Sequence, residues 1–258
     1  MGASRPEPAQ RPRGPEQEGG PGQEGVPGRQ NGWVMGPDAG RGAGAGILIS
    51  LEGVEGSGKS TQCRLLLAWL RDQGVAVTTV REPGGTDLGE RLRAIVLDPA
   101  LGPLRPETEV LLFAAARSQA FVERIEPALS RGDVVVCDRF VDSSAAYQGA
   151  GLGVDAEFIR RVNDAVTQGL RPQLTILLDV PAGVGRERRR QAAAELDRIE
   201  RRDIAYHEAV RTGYLALARR EPGRFMVVDG TGDPETVHDA IQGAVARALA
   251  SRATGGRG

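Results

Sequence analysis

The chain has 258 residues, 40% of them hydrophobic, and a formal net charge of -1. That length holds one large domain or two small ones, with enough apolar content for a sizeable core. Near-neutral charge gives no electrostatic case for a nucleic-acid or membrane partner, no apolar run approaches the roughly 20 residues that span a bilayer, and the N-terminus lacks the apolar stretch of a secretory signal, so a soluble cytoplasmic protein is expected.

Residues 1–46 contrast with everything after them. They hold 13 Gly and 7 Pro, and only Trp33, Val34 and Met35 offer an apolar cluster. Too little surface can be buried there to offset the entropy of ordering the chain, so a disordered tail is expected. A docking arm, or translation that begins at Met35, are the other readings. From Ile47 strands and helices alternate. Residues 47–51 predict a short buried strand, and a glycine-rich turn leads into a helix over 59–73 that Gly74 closes. Residues 75–80 are rich in β-branched side chains and predict a second strand; 86–97 predict a helix stopped by Pro99. A long helix is expected over 107–131, with Pro127 marking a break or kink. Strands follow at 133–138 and 174–179, separated by a helix over 155–168. Arginine-rich helical sequence then runs to about Arg220, interrupted near Ala192, before a strand at 225–228 and a closing helix over 234–250. Continuous apolar strands alternating with amphipathic helices mean a parallel sheet covered on both faces. Residues 47–250 are therefore expected to form one α/β domain, with 251–258 a flexible C-terminal end. Cys63 and Cys137 fall inside regular elements and read as buried thiols rather than a disulfide.

Of 33 basic residues only one, Lys59, is lysine. It lies in Gly53-Val54-Glu55-Gly56-Ser57-Gly58-Lys59-Ser60, the phosphate-binding pattern G-x-x-x-x-G-K-[ST], between a predicted strand and a predicted helix. A compact ammonium slides between phosphate oxygens where a planar guanidinium fork is too broad. The glycines let backbone N–H groups turn inward around a phosphate, and the helix N-terminus adds its dipole. Ser60 is placed to hold Mg²⁺. Asp138, ending the third strand beside this loop, suits the same ion or its water shell, and Arg139 could hold a second phosphate; a surface ion pair is the plainer reading. Arg81-Glu82-Pro83-Gly84-Gly85 follows the second strand, where ligand loops gather in open α/β sheets, or is an ordinary turn. Residues 186–202 hold seven arginines, including Arg188, Arg190 and Arg198. They read as a cationic lid over transferring phosphates or as a solvated helix face laced to neighbouring carboxylates. Phe113 and Arg117, four apart on one helix, could stack on and hydrogen-bond a base, or Phe113 is simply core. A guanine-nucleotide switch would need an Asn-Lys-x-Asp motif, which a chain with a single lysine at Lys59 cannot contain.

Taken together, Glu52 to Thr61, Arg81 to Gly85, Phe113 with Arg117, Asp138-Arg139-Phe140, Ala146-Tyr147-Gln148-Gly149 and Asp197-Arg198-Ile199-Glu200 resemble bacterial thymidylate kinases of the type whose catalytic arginine sits on the lid. The resemblance spans about residues 46–250. It implies a P-loop nucleoside-monophosphate kinase fold, a five-stranded parallel sheet with helices on both faces. It implies transfer of the ATP γ-phosphoryl to dTMP with Mg²⁺, giving dTDP for dTTP synthesis, and a homodimer. ATP falls to Gly53, Val54, Glu55, Gly56, Ser57, Gly58, Lys59, Ser60 and Thr61, and the metal to Ser60 and Asp138. The dTMP site takes Glu82, Pro83 and Gln148 along with Phe113 against thymine, Arg117 at its edge, Ser144 at the base, Tyr147 against the deoxyribose, Glu55 near the 3′-hydroxyl and Arg139 on the phosphate. Position 55 is acidic and the loop has no arginine, so with Lys59 and Arg139 the catalytic cations are sought among Arg188, Arg190 and Arg198. The run Gln191-Ala192-Ala193-Ala194 is less basic than the family pattern.

Overall fold

The computed structural model describes residues 1–2, 46–192 and 195–255. The expected tail, all but a few of residues 1–46, lies outside the described residues. Five parallel strands, β1 (Ile47–Glu52), β2 (Val77–Arg81), β3 (Val134–Asp138), β4 (Leu174–Asp179) and β5 (Phe225–Asp229), form one sheet in the order β2-β3-β1-β4-β5. The order reverses at β1, whose neighbours are β3 on one side and β4 on the other. In an open sheet of this kind the crevice beyond the carboxyl ends at such a reversal receives the ligand.

Alternation along each strand sorts side chains to the two faces. Ile47, Ile49, Leu51, Val134, Val136, Ile176 and Leu178 meet Leu66 and Leu70 of α1 (Lys59–Asp72) and Ile241 and Val245 of α9 (Pro234–Gly255). On the other face, Leu48, Val135 and Cys137 pack with Phe121, Ile125 and Phe140, and Leu177 with Tyr214 and Val210 of α8 (Ile204–Arg220). Both cysteines are free thiols. No described helix is long and apolar enough to cross a membrane.

Most predicted elements are found within a residue or two. Thr86 caps α2 (Asp87–Leu97) by accepting from the Gly89 N–H at 3.0 Å. Three differences remain. The long third helix does not break at Pro127. It runs as α3 (Pro106–Ala120), opens into a π-helical turn over Phe121–Ile125 and resumes as α4 (Glu126–Ser130). Pro127 has no N–H to continue the ladder of this unbroken run, and the wider winding of the turn just before it accommodates the ring. The segment after β3, predicted as no element, is a short helix α5 (Val141–Ser144) running into a π-helical turn over Ala145–Ala150. The arginine-rich stretch is interrupted at Ala192 as expected, giving α7 (Ala182–Gln191) and α8, but α9 continues past the predicted end to Gly255. The remaining helix, α6 (Ala156–Thr167), packs against α3.

Candidate active site

The loop between β1 and α1 depends on glycine at two positions in particular. Gly58 has φ 95° and Gly56 φ 71°, conformations that L side chains rarely adopt. At Gly56 a Cβ would also lie 2.1 Å from the carbonyl oxygen of Gly185 in α7. A Cβ on Gly185 would meet the Glu55 carbonyl at 2.2 Å. Backbone thus rests on backbone, and this contact seats the arginine-rich helix on the loop. Lys59 is folded into the same turn. Its Nζ donates to Gly53 O at 3.0 Å, Val54 O at 2.8 Å and Ser57 Oγ at 3.4 Å. Burial pushes the ammonium down to about 8, aided by Arg139 and opposed by Asp138, Glu55 and Glu52.

Two cavities open at the carboxyl end of the sheet. One, of about 280 Å³, is walled by Glu82 and Pro83 after β2, Phe113 and Arg117 of α3, Arg139 after β3, and Ser144, Tyr147 and Gln148 of α5 and the π-helical turn. The other, about 550 Å³, is lined by Ser57, Gly58 and Thr61 of the loop, with Arg188 and Gly230. Gly56, Lys59, Ser60 and Arg189 line both.

Arg139 organises the first cavity near this junction. Its backbone φ is 74°, a region that costs a non-glycine residue of order 1–3 kcal/mol and persists where the surroundings over-determine it. Here they do. Its guanidinium donates to Gly53 O at 3.1 Å, Glu55 Oε1 at 3.0 Å, Tyr147 OH at 2.8 Å and Tyr214 OH at 3.2 Å. Burial would push the Glu55 carboxyl up, but His207, Arg139, Lys59 and Tyr147 outweigh it and hold it well below the usual carboxylate range. Beneath them the fully buried Glu52 accepts from Phe140 N–H at 2.8 Å, Ser143 Oγ at 2.6 Å and Tyr214 OH at 2.7 Å. Burial, with Asp142, pushes its carboxyl up to about 7.

Arg117 is almost wholly buried. It donates to Glu82 Oε2 at 2.7 Å, Asn163 Oδ1 at 2.6 Å, Ser144 Oγ at 3.2 Å and Phe140 O at 3.2 Å. Removing one member of so buried an ion pair costs about 3–5 kcal/mol, so an Arg117 variant would confound stability with binding. Phe113 is half-buried on the same wall, not sealed in the core.

Of the three arginines expected on the lid, Arg188 lines the larger cavity and Arg190 and Arg198 line neither. Arg188 holds the turn after β5, donating to Gly230 O at 2.9 Å and Thr231 O at 3.1 Å. Arg190 is 74% exposed and pairs with Glu187 at 2.7 Å. Arg198 donates to Val96 O at 2.8 Å and to the buried Glu109 at 2.7 Å, and lines neither cavity. The arginine that reaches both cavities is Arg189. It pairs with Glu200 at 2.8 Å, and its Nε is buried without a partner among the described residues. Sequence could not separate it from its neighbours, since all share one run and none carries a distinguishing spacing. Glu52, Glu109 and His207, whose Nδ1 is 3.4 Å from Glu55 Oε2, were also missed.

Ser60 Oγ donates to Asp138 Oδ2 at 3.2 Å at the foot of the loop. Among the described residues no cluster of three or more His, Cys, Asp or Glu could hold a metal alone. One hydroxyl and one carboxylate beside a phosphate site is the donor set that fits Mg²⁺, which keeps most of its waters and binds largely through substrate phosphates.

A loop built for phosphates, a parallel sheet reversing at that loop, and two cavities sharing its lysine define a P-loop kinase of the nucleoside-monophosphate type. A family model described as thymidylate kinase matches residues 51–241. The thymidylate kinase of Thermomicrobium roseum is 51% identical over 201 residues, 78% of this chain and 95% of that one. That of Symbiobacterium thermophilum is 49% identical over 209 residues, 81% of this chain and 97% of that one. The crystal structure of thymidylate kinase from Ehrlichia chaffeensis superposes with a TM-score of 0.64 at 34% identity, covering 78% of this chain and 98% of that one. The chain belongs to the thymidylate kinase family, enzymes that phosphorylate dTMP to dTDP.

Proposed function

We propose that the chain transfers the γ-phosphoryl group of ATP to dTMP, with ATP in the larger cavity and dTMP in the smaller. The observation that carries this division is the set of residues common to both cavities, Gly56, Lys59, Ser60 and Arg189, which surrounds the one place where donor and acceptor phosphates can meet. Ser60 and Asp138 would hold Mg²⁺, which supplies charge neutralisation on the phosphates. In-line transfer asks little covalent chemistry of the protein. Lys59 exchanges its carbonyl partners for phosphate oxygens as ATP enters. Arg139 holds the acceptor phosphate and, through its bond to Glu55, sets that carboxylate beside the sugar. Arg189, carrying a buried N–H without a partner among the described residues, is the cation poised over the transferring group. Phe113 offers its ring to the base, and Tyr147 crowds the position a 2′-hydroxyl would occupy. Leu88, Ile95, Leu111 and Val122 stand exposed on α2, α3 and the turn that follows α3, and this apolar strip supports a homodimer joined there.

Phe113→Ala tests the division of cavities. Stacking contributes on the order of 1 kcal/mol beyond area burial, so KM for dTMP is expected to rise about tenfold with KM for ATP unmoved. Tyr147→Ala is expected to lower turnover, because its hydroxyl also bonds Arg139 and Glu55, yet to narrow the ratio of deoxyribose to ribose acceptors. An equal rise in KM for ATP in both variants would remove the assignment.

The position of Lys59 also fixes a pH dependence. The free enzyme loses the ammonium proton near pH 8, below the ordinary lysine value, so the charged form fades as pH rises through that point. Since kcat/KM reports the enzyme form that meets the substrate, kcat/KM for ATP is expected to fall above pH about 8 with dTMP held well below saturation. A profile flat up to the ordinary lysine value would contradict the burial argument.

A further inference from the structure

Gln148 presents a side-chain amide to the smaller cavity, and an amide can face either way. Its orientation is not free. Glu109, in the first turn of α3 and 0% exposed, accepts from Gln148 Nε2 at 2.9 Å. The same carboxylate accepts from Arg198 at 2.7 Å and from Arg202 at 2.7 Å. Burial would push the Glu109 carboxyl up, but Gln148 and the two guanidiniums outweigh it and hold it ionised. An ionised carboxylate only accepts, so the Gln148 NH₂ must point at Glu109 and the carbonyl must point away. That carbonyl Oε1 receives no hydrogen bond from the described residues and is not sealed off; it opens on the cavity.

We propose that Glu109 is a positioning residue for base selection: by fixing the Gln148 amide, it presents a carbonyl acceptor that demands a ring N–H from the incoming base. This rests on the assignment of the smaller cavity to the acceptor nucleotide. The matching chemistry is a pyrimidine imide, whose N3 carries hydrogen. A cytosine ring has a lone pair at N3, and two acceptors facing each other leave the buried carbonyl unsatisfied. Arg198 and Arg202 thus act on selection through Glu109 from a distance, without touching the nucleotide.

Glu109→Gln inverts the logic. Arg198 and Arg202 would still need an acceptor and would claim the single carbonyl of the new amide. Its NH₂ would then face Gln148, which must turn to accept and so offer its own NH₂ to the cavity. The probe is 5-methyl-dCMP, which keeps the ring methyl and the C2 carbonyl but carries a lone pair at N3 where dTMP carries N–H. In the unaltered enzyme the loss in kcat/KM relative to dTMP is expected to be on the order of 10–100-fold, the cost of an unmade buried hydrogen bond. Gln148→Leu and Glu109→Gln should each shrink that loss to a few-fold, and Glu109→Gln should also raise dCMP relative to dTMP. KM for ATP should not move, whereas a merely structural role would change both substrates together. A loss that shrinks in Gln148→Leu but persists in Glu109→Gln overturns the role of Glu109 and leaves the acceptor site intact. A loss that persists in both overturns the carbonyl as the acceptor. If Gln148→Leu and Phe113→Ala alike leave dTMP kinetics unchanged, the assignment of the cavity itself fails. Melting temperature is followed throughout. Should Glu109→Gln not hold its fold, Arg198→Met added to it removes the guanidinium left short of an anion, and the same ratio is read on the pair.

Discussion

Lys59→Arg is expected to lose most phosphoryl transfer although it keeps the positive charge, and Lys59→Ala to fall on the order of 10²–10³ in kcat. The seat explains why. Three acceptors, two carbonyls and the Ser57 hydroxyl, lie between 2.8 and 3.4 Å from Nζ and suit a compact ammonium with three donors. A guanidinium is planar and wider, and Gly56 pressed against Gly185 leaves the loop no room to widen. In a chain where every other basic residue outside the histidines is arginine, the lone lysine is a requirement of shape. Single-turnover phosphoryl transfer, read with melting temperatures for both variants, checks this. Near-normal turnover by the arginine variant at unchanged stability would sink the shape argument.

Arg189→Ala is expected to lower kcat by roughly 10³ or more, in the range known for arginine fingers in phosphoryl transfer, with modest change in either KM. The ion pair with Glu200 leaves its Nε unused, so the guanidinium can turn towards a phosphate without first abandoning every bond it makes. Its neighbours should behave differently. Arg190→Ala removes only an exposed pair with Glu187 and should change stability by no more than about 0.5 kcal/mol and turnover not at all. Arg198→Ala strips one of two guanidiniums from the buried Glu109 and should show as lost stability and altered base selection. Steady-state kinetics on the three single variants separate these outcomes. If Arg189→Ala turned over normally, the catalytic cation would have to be sought at Arg139 or Arg81.

The residues legible in the sequence are those whose placement follows from local pattern. Gly53 to Ser60 carry their conformation in their spacing, and Asp138 and Arg139 follow from ending a buried strand beside that loop. Phe113 and Arg117 share a wall because four residues make one helical turn. What stayed hidden depends on contacts between distant segments. Which arginine of the run lines both cavities is set by where α7 rests on the P-loop, a glycine contact that no periodicity announces. Glu109 gathers its partners from the π-helical turn and from the segment before α8, so its weight emerges only once these meet. The π-helical turn itself was obscured because Ala, Gly and Tyr give no helical period there, yet it is what places Tyr147 and Gln148 on one cavity.

Acceptor choice is the property that the two cavities determine most directly. Release of ADP, followed by a coupled assay with ATP and Mg²⁺ across dTMP, dUMP, UMP, CMP and AMP, reads it in one experiment. Phe113, Arg117, Tyr147 and Gln148 together predict dTMP as the acceptor with the highest kcat/KM, with CMP and AMP lower by at least about 10²-fold, the loss expected when a site built for a ring N–H and a deoxyribose meets neither. Preference for CMP or AMP, or ADP release that ignores which acceptor is present, would contradict it.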